Sequence, residues 1–153
     1  MPVINLTDLR AGLAQSARLL GLDPGSRTIG IALSDVTLML ATPYGSVARG
    51  RLAANAAEIA RIARCEGAGG LVVGLPLSLD GTAGPAAQAA RDWTHALSAA
   101  TGLPASLWDE RLSSAAVNRF LIAEADMTRK RRAEVVDRMA AAYMLQSALD
   151  ASR

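Results

Sequence analysis

Apolar and polar positions along this chain follow two periods, and the points where one gives way to the other mark its elements. Helical spacing predicts a short lead-in over about 5–19, with Thr7 or Asp8 as its cap. A buried strand then runs over 19–23 and stops at Asp23-Pro24-Gly25, and a second strand follows over 28–34. Residues 41–48 read as a third strand, which Pro43 and Gly45 assign to a sheet edge. Over 52–65 Ala53, Ala56, Ala57, Ala60, Ile62 and Ala63 recur at helical spacing, and Gly67, Gly69 and Gly70 end that helix. Leu71-Val72-Val73-Gly74-Leu75 is wholly apolar, as in a central parallel strand. A loop over 76–84 carries Ser78, Asp80 and Gly81, and a helix over 85–100 stops at Gly102. Residues 105–111 alternate as a strand, and helices are expected over 114–124 and 131–151.

This order, three strands and then helix, strand, helix, strand and closing helices, predicts an α/β fold. Its mixed five-stranded sheet begins with an antiparallel hairpin, carries helices on both faces and uses right-handed strand–helix–strand crossovers. The chain shows no internal repeat and no low-complexity linker. A lead-in over 1–18 and one domain over 19–153 are expected.

Composition narrows the function classes. With 51% hydrophobic and 20% charged residues the chain is a folded globular protein. Only 3% of residues are aromatic, which argues against a single-strand binder that stacks bases on aromatic platforms. The net charge of +2 permits a polyanionic partner without requiring one. One cysteine, Cys65, excludes a disulfide framework and a zinc cluster and is expected to serve packing only. No apolar run reaches the ~18 residues of a membrane span, and the start of the chain lacks a signal-peptide pattern, so a cytoplasmic protein is expected.

The candidate chemistry is carboxylate chemistry. His95, the single histidine, sits in mid-helix beside Trp93 with no partner for nucleophilic catalysis. Asp23 comes where the apolar run ends, so its charge emerges at a strand terminus. Gly25 is available for positive φ where the chain reverses, and Gly30 leaves the returning strand bare near the carboxylate. A Pro-Gly hairpin explains the turn but not the acid. Asp109 and Glu110 interrupt another strand end; alternation puts Ser106, Trp108 and Glu110 on one side and Ala105, Leu107 and Asp109 on the other, so only one acid faces any given site. Ser113 or Ser114 capping a following helix is the plainer reading of that segment. Asp137 lies within an apolar stripe of Ala133, Val136, Ala140, Tyr143 and Met144, where a carboxylate is costly unless paired, protonated or bound to metal. A salt bridge, for example to Arg111, is the structural alternative. Three acids from two strand ends and a facing helix can converge at one sheet edge, and an all-oxygen set suits Mg²⁺ or Mn²⁺. Thr128-Arg129-Lys130-Arg131-Arg132 puts cations at a helix N-terminus, where the dipole disfavours them, and they suit a phosphate backbone; Arg27 in the first turn adds to them.

The Asp-x-Gly hairpin is shared by RNase H-like nucleases and actin-like phosphotransferases, the latter needing two such domains around a nucleotide. The full set of motifs resembles the YqgF family, also called RuvX. The matching segments are Gly21 through Ala32, Val72 through Gly81, Asp109-Glu110-Arg111-Leu112-Ser113-Ser114, and Arg131 through Asp137 to Ala141. They occur in the family's order and leave only the lead-in uncovered. Ser113-Ser114 stands where the family often has two threonines. Related resolvases place an acid at the end of the central strand, where Gly74-Leu75-Pro76 has none. The resemblance implies an RNase H-like fold and a nuclease hydrolysing structured nucleic acid, either maturing the 5′ end of pre-16S rRNA or resolving Holliday junctions in branched DNA. A non-cutting RNase H-like binding module or ribosome-assembly partner is the alternative. It further implies Asp23, Glu110 and Asp137 as catalytic, metal-binding acids holding a two-metal Mg²⁺ or Mn²⁺ site, and Arg27, Ser113, Lys130 and Arg131 as substrate contacts. Monomer and homodimer both remain open.

Overall fold

The first three strands are joined by short turns and therefore pair antiparallel, whereas the later strands return through helices and pair parallel. In the computed structural model, which describes residues 3–75, 84–109 and 129–153, these are β1 (Arg18–Pro24), β2 (Thr28–Ser34), β3 (Ala41–Ala48), β4 (Ala68–Leu75) and β5 (Ala105–Asp109). They form one sheet in the order β3-β2-β1-β4-β5. β3 is thus an edge strand, as Pro43 and Gly45 require, and β1 and β4 are central. The described helices are α1 (Leu6–Ala11), α2 (Leu52–Glu66), α3 (Pro85–Thr101) and α4 (Arg129–Ala151). The mixed five-stranded sheet with helices on both faces is the expected fold. The helix expected over 114–124 and the loop residues Ser78, Asp80 and Gly81 lie outside the described residues.

Strand alternation splits the core into two layers. Leu20, Leu22, Ile31, Leu71 and Val73 face α2 and α3, packing on Ile59, Ile62 and Leu97. Leu19, Ala32 and Val72 face the other way, against Leu9 of α1 and Met144, Leu145, Ala148 and Leu149 of α4. Each fully buried Leu or Ile contributes about 1.5–3 kcal/mol relative to exposure, so neither layer is dispensable.

The lead-in departs from expectation. Its helix covers six residues and is capped by Asn5, whose Oδ1 accepts the Asp8 N–H at 2.8 Å; Thr7 and Asp8 are inside the first turn. Strand geometry already begins at Arg18. The Ile4 N–H donates to the Ala105 carbonyl at 2.9 Å, which ties the lead-in to β5. Gly69 and Gly70 belong to β4, not to a helix end, because the lead-in presses on them: a Cβ at Gly70 would lie 2.9 Å from Leu9 Cδ1 of α1, and one at Gly69 3.2 Å from Leu13 Cδ2. On α2 the buried face is Asn55, Ala56, Ile59, Ile62 and Ala63, and Ala53 and Ala57 are exposed, since alanine spacing alone does not fix the phase of so alanine-rich a helix. Cys65 is exposed and fills no core position.

Two polar devices fix the β2–β3–α2 path. The Asp35 carboxylate accepts the Met39 and Leu40 N–H groups at 2.9 and 3.1 Å and the Thr37 hydroxyl. These bonds favour the charged form and hold its carboxyl down to about 2, the Thr37 bond contributing most. Beyond β3, the buried Asn55 donates to the Ala48 carbonyl at 3.0 Å and accepts the Gly50 N–H at 2.9 Å.

Candidate active site

The β1–β2 hairpin presents Asp23 at the carboxyl end of the central strand. Leu19 packs on the α4 side and a Cβ at Gly21 would meet Leu145, so by alternation Asp23 looks toward α4 as well. Its side chain is buried, 6% exposed, and its cross-strand partner is Gly30, which adds no side chain beside it. The turn is closed by the Gly25 N–H donating to the Thr28 carbonyl at 2.8 Å, with Ser26 and Arg27 exposed at its tip. Gly25 is not at positive φ, contrary to expectation. What requires glycine there is space: a Cβ would sit 2.8 Å from the Thr28 oxygen.

α4 closes the face above Asp23. Its last turns meet α1, where Arg10 Nη1 donates to the Leu149 carbonyl at 3.3 Å and to Ser152 Oγ at 3.0 Å. α1 lies over the start of β4, which is parallel to β1. With Leu145 on Gly21, the helix therefore runs antiparallel to β1, and its N-terminal turns extend toward the end that carries Asp23.

At the neighbouring strand end, β5 is parallel to β4, with Gly74 opposite Trp108 and Leu75 opposite Asp109. Leu107 packs with the α2 and α3 layer and Trp108 with the α4 layer, so Asp109 follows Leu107, away from the face of Asp23. The indole N–H of Trp108 is buried with no acceptor among the described residues. A donor so placed costs about 1–3 kcal/mol unless an oxygen meets it. Glu110 and Ser113 lie outside the described residues. Lys130, Arg131 and Asp137 fall on α4, whose side chains are described from Arg138 onward.

Among the described residues no three acidic, histidine or cysteine side chains form a metal-holding group. Of the expected ligands Asp23 alone is described, and it fits a divalent cation: a hard oxygen donor at a strand end, facing a bare glycine, beside a helix whose first turns point toward it. His95 is exposed on α3 and takes no part.

Sequence patterning gave no sign of a cleft on the opposite side of the same turn. It has a volume of about 280 Å³ and is lined by Pro24, Gly25, Ser26, Arg49, Trp93 and alanines of α3. Arg49 Nη1 donates to the Gly25 carbonyl at 2.7 Å, and its guanidinium lies 5.5 Å from the centre of the Trp93 ring. Arg49 follows an edge strand and Trp93 is one apolar residue of an amphipathic helix, so neither is distinguished by spacing.

Comparison with known proteins agrees with this geometry. A family model described as RuvX, Holliday junction resolvase, matches residues 17–151. A protein of Gluconacetobacter diazotrophicus named "Putative pre-16S rRNA nuclease" is 66% identical over 99% of both chains. One of the same name from Gluconobacter oxydans is 67% identical, covering 100% of this chain and 96% of its own. Among solved structures, the RuvC of Thermus thermophilus in complex with Holliday junction substrate superposes with a TM-score of 0.52 at 13% identity, covering 88% of this chain and 94% of that one. At that identity it speaks for the fold, which is RNase H-like.

Proposed function

The chain belongs to the RuvX family, and from that premise we propose that it is a metal-dependent nuclease that hydrolyses phosphodiester bonds of structured nucleic acid, trimming the 5′ end of pre-16S rRNA during ribosome assembly. The observation that carries the reading is Asp23: a buried carboxylate at the end of the central strand, facing glycine, under the approach of α4. The names of the 66% and 67% identical relatives favour RNA as the substrate.

Register along the sheet and α4 supports Asp137 as its companion. Asp23 comes one residue after the Leu22–Val73 pair, and Trp108 one residue after Leu107, which pairs with Val73, so Asp23 and Trp108 are level across the sheet. Glu110 lies outside the described residues and is assigned as a companion by the family resemblance of Asp109-Glu110-Arg111-Leu112-Ser113-Ser114. The buried face of α4 is Ala141, Met144, Leu145 and Ala148, and position 137 precedes Ala141 by one helical turn. Leu145 is level with Gly21, so Ala141 is roughly level with Asp23 and position 137 about 6 Å beyond. On this reading Asp23, Glu110 and Asp137 come together at one end of the sheet, a placement supported by the level of Asp23 and by the direction of α4.

There the carboxylates would hold Mg²⁺ or Mn²⁺, which when bound supplies an activated water and charge stabilisation at a phosphodiester. Asp23 contributes a fixed, desolvated oxygen. Arg27 at the turn tip, with Ser113, Lys130 and Arg131, positions the phosphate backbone. The nuclease domain is assigned to 19–153 with 1–18 as its lead-in, and the protein to the cytoplasm; among the described residues no helix is long and apolar enough to cross a membrane.

The family description favours a second reading, Holliday junction cleavage. Purified protein incubated with a ribosomal RNA precursor and with a four-way DNA junction, in Mn²⁺ and in chelator, decides between them. Cutting of the precursor in metal alone, lost in a folded Asp23→Asn variant, is the expected result. Metal-independent binding without cutting of either substrate would leave a non-catalytic module.

A further inference from the structure

We infer that the cleft between the β1–β2 turn and α3 is a subsite for one unpaired nucleotide of the substrate strand, its base stacked against the Arg49–Trp93 pair. The inference rests on the nuclease reading and adds to it a single-stranded contact on the side of the turn away from Asp23.

Chemistry selects the ligand. Arg49 spends one donor on the Gly25 carbonyl, and among the described residues it pairs with no carboxylate. A guanidinium has five N–H donors in a planar fork suited to a phosphate. The guanidinium, its Cζ over the Trp93 ring 5.5 Å from the centroid, and the indole are the kinds of group against which unstacked bases are held. The opposite wall is Ala86, Ala89 and Ala90, side chains too short to obstruct a flat group. The volume, about 280 Å³, falls at the lower end of ligand pockets, enough for one small planar group but not an extended chain. Among the described residues no carboxylate lines it, which disfavours a cation or a basic peptide.

The site is also built in advance. The Arg49 N–H donates to the Arg27 carbonyl at 2.8 Å, and Asn55 pins Ala48 and Gly50 on either side. Little backbone order remains to be imposed on binding. Pro24, Gly25 and Ser26 directly follow Asp23, so a strand seated here passes over the end of the turn to the acidic face. The scarcity of aromatics argues against binding through several stacked bases, and the cleft offers one stacking position beside Trp93.

The test uses the full-length protein in chelator, so that no cleavage intervenes. Fluorescein-labelled duplexes with and without a short unpaired 5′ tail, in RNA and DNA versions, are titrated by anisotropy. Wild type is expected to favour tailed duplexes. Trp93→Leu, which keeps an apolar group against the core, should weaken tailed binding roughly 5- to 150-fold, and Trp93→Phe should recover most of it. Ala89→Glu, at an exposed position, should weaken it similarly by filling the cleft with negative charge; it decides the matter if Trp93→Leu does not fold by circular dichroism. Tail binding unchanged in folded Ala89→Glu and Trp93→Leu would overturn the subsite and leave the nuclease reading standing. Binding of neither duplex by wild type would remove both.

Discussion

Gly21 lies so close beneath Leu145 that a Cβ at residue 21 would be 2.8 Å from the Leu145 Cβ. Contacts that short do not occur, and both atoms belong to rigid elements, the central strand and the helix that covers it. Gly21→Ala must lift α4 from β1. The expected cost is about 1–3 kcal/mol, as for other overpacked cores, read from a urea melt. Because α4 carries Asp137, cleavage should fall further than the loss of folded protein accounts for.

Asp137→Asn separates ligand from salt bridge. As a ligand, Asp137 is crowded by like charges that a divalent cation relieves, so Mg²⁺ or Mn²⁺ should raise the wild-type Tm by binding the native state. The variant should then melt at or above metal-free wild type, lose most of the metal-induced rise and not cut. As half of a buried ion pair, the same change should instead destabilise by about 3–5 kcal/mol and keep the metal response. Thermal melts with and without metal distinguish the two.

Much of this arrangement is legible in the sequence, for reasons that differ by element. β2 is a largely apolar run between turn residues, so its limits can be read directly, and the edge position of β3 follows from Pro43 and Gly45. Asp23 is marked by the break it makes in an apolar run. Gly70 was misread because glycine ends helices and also admits a neighbour, and only the packing of Leu9 shows which role applies. The phase of α2 was blurred by its alanines, which are accepted on either face. Arg49 and Trp93 are joined through tertiary structure alone, across an edge strand and a distant helix, and no local period connects them.

Lys130 and Arg131 are proposed phosphate contacts, and salt tests them. Alanine at each should weaken binding to the RNA precursor across sequences and lower the slope of log K against log salt by about 1 per residue removed. Titrations at several salt concentrations in chelator measure this. An unchanged slope would mark both side chains as ordinary solvated surface.

Asp35 predicts a pH effect remote from chemistry. Its folded pKa of about 2 lies below the ordinary 3.8, so the group adds stability that is fully present above pH 3.8 and lost as pH falls toward 2. Asp35→Ala should therefore destabilise at neutral pH and show a flatter stability profile between about pH 4 and 2. Urea midpoints across that range check it; parallel profiles for the two proteins would contradict it.

The antiparallel seating of α4 on β1 also has a consequence in time. During synthesis, the β1–β2–β3 meander can pair as soon as it emerges, because its contacts are local. Leu19, Ala32 and Val72 then have only α1 to cover them on one face until α4 arrives to bury them against Leu145 and Leu149. A nascent chain thus carries Asp23 long before it carries position 137. Under the proposed assignment, completion of the metal site coincides with burial of the last apolar layer, so a chain interrupted before α4 is expected to be both unable to cut and prone to self-association through that bare face.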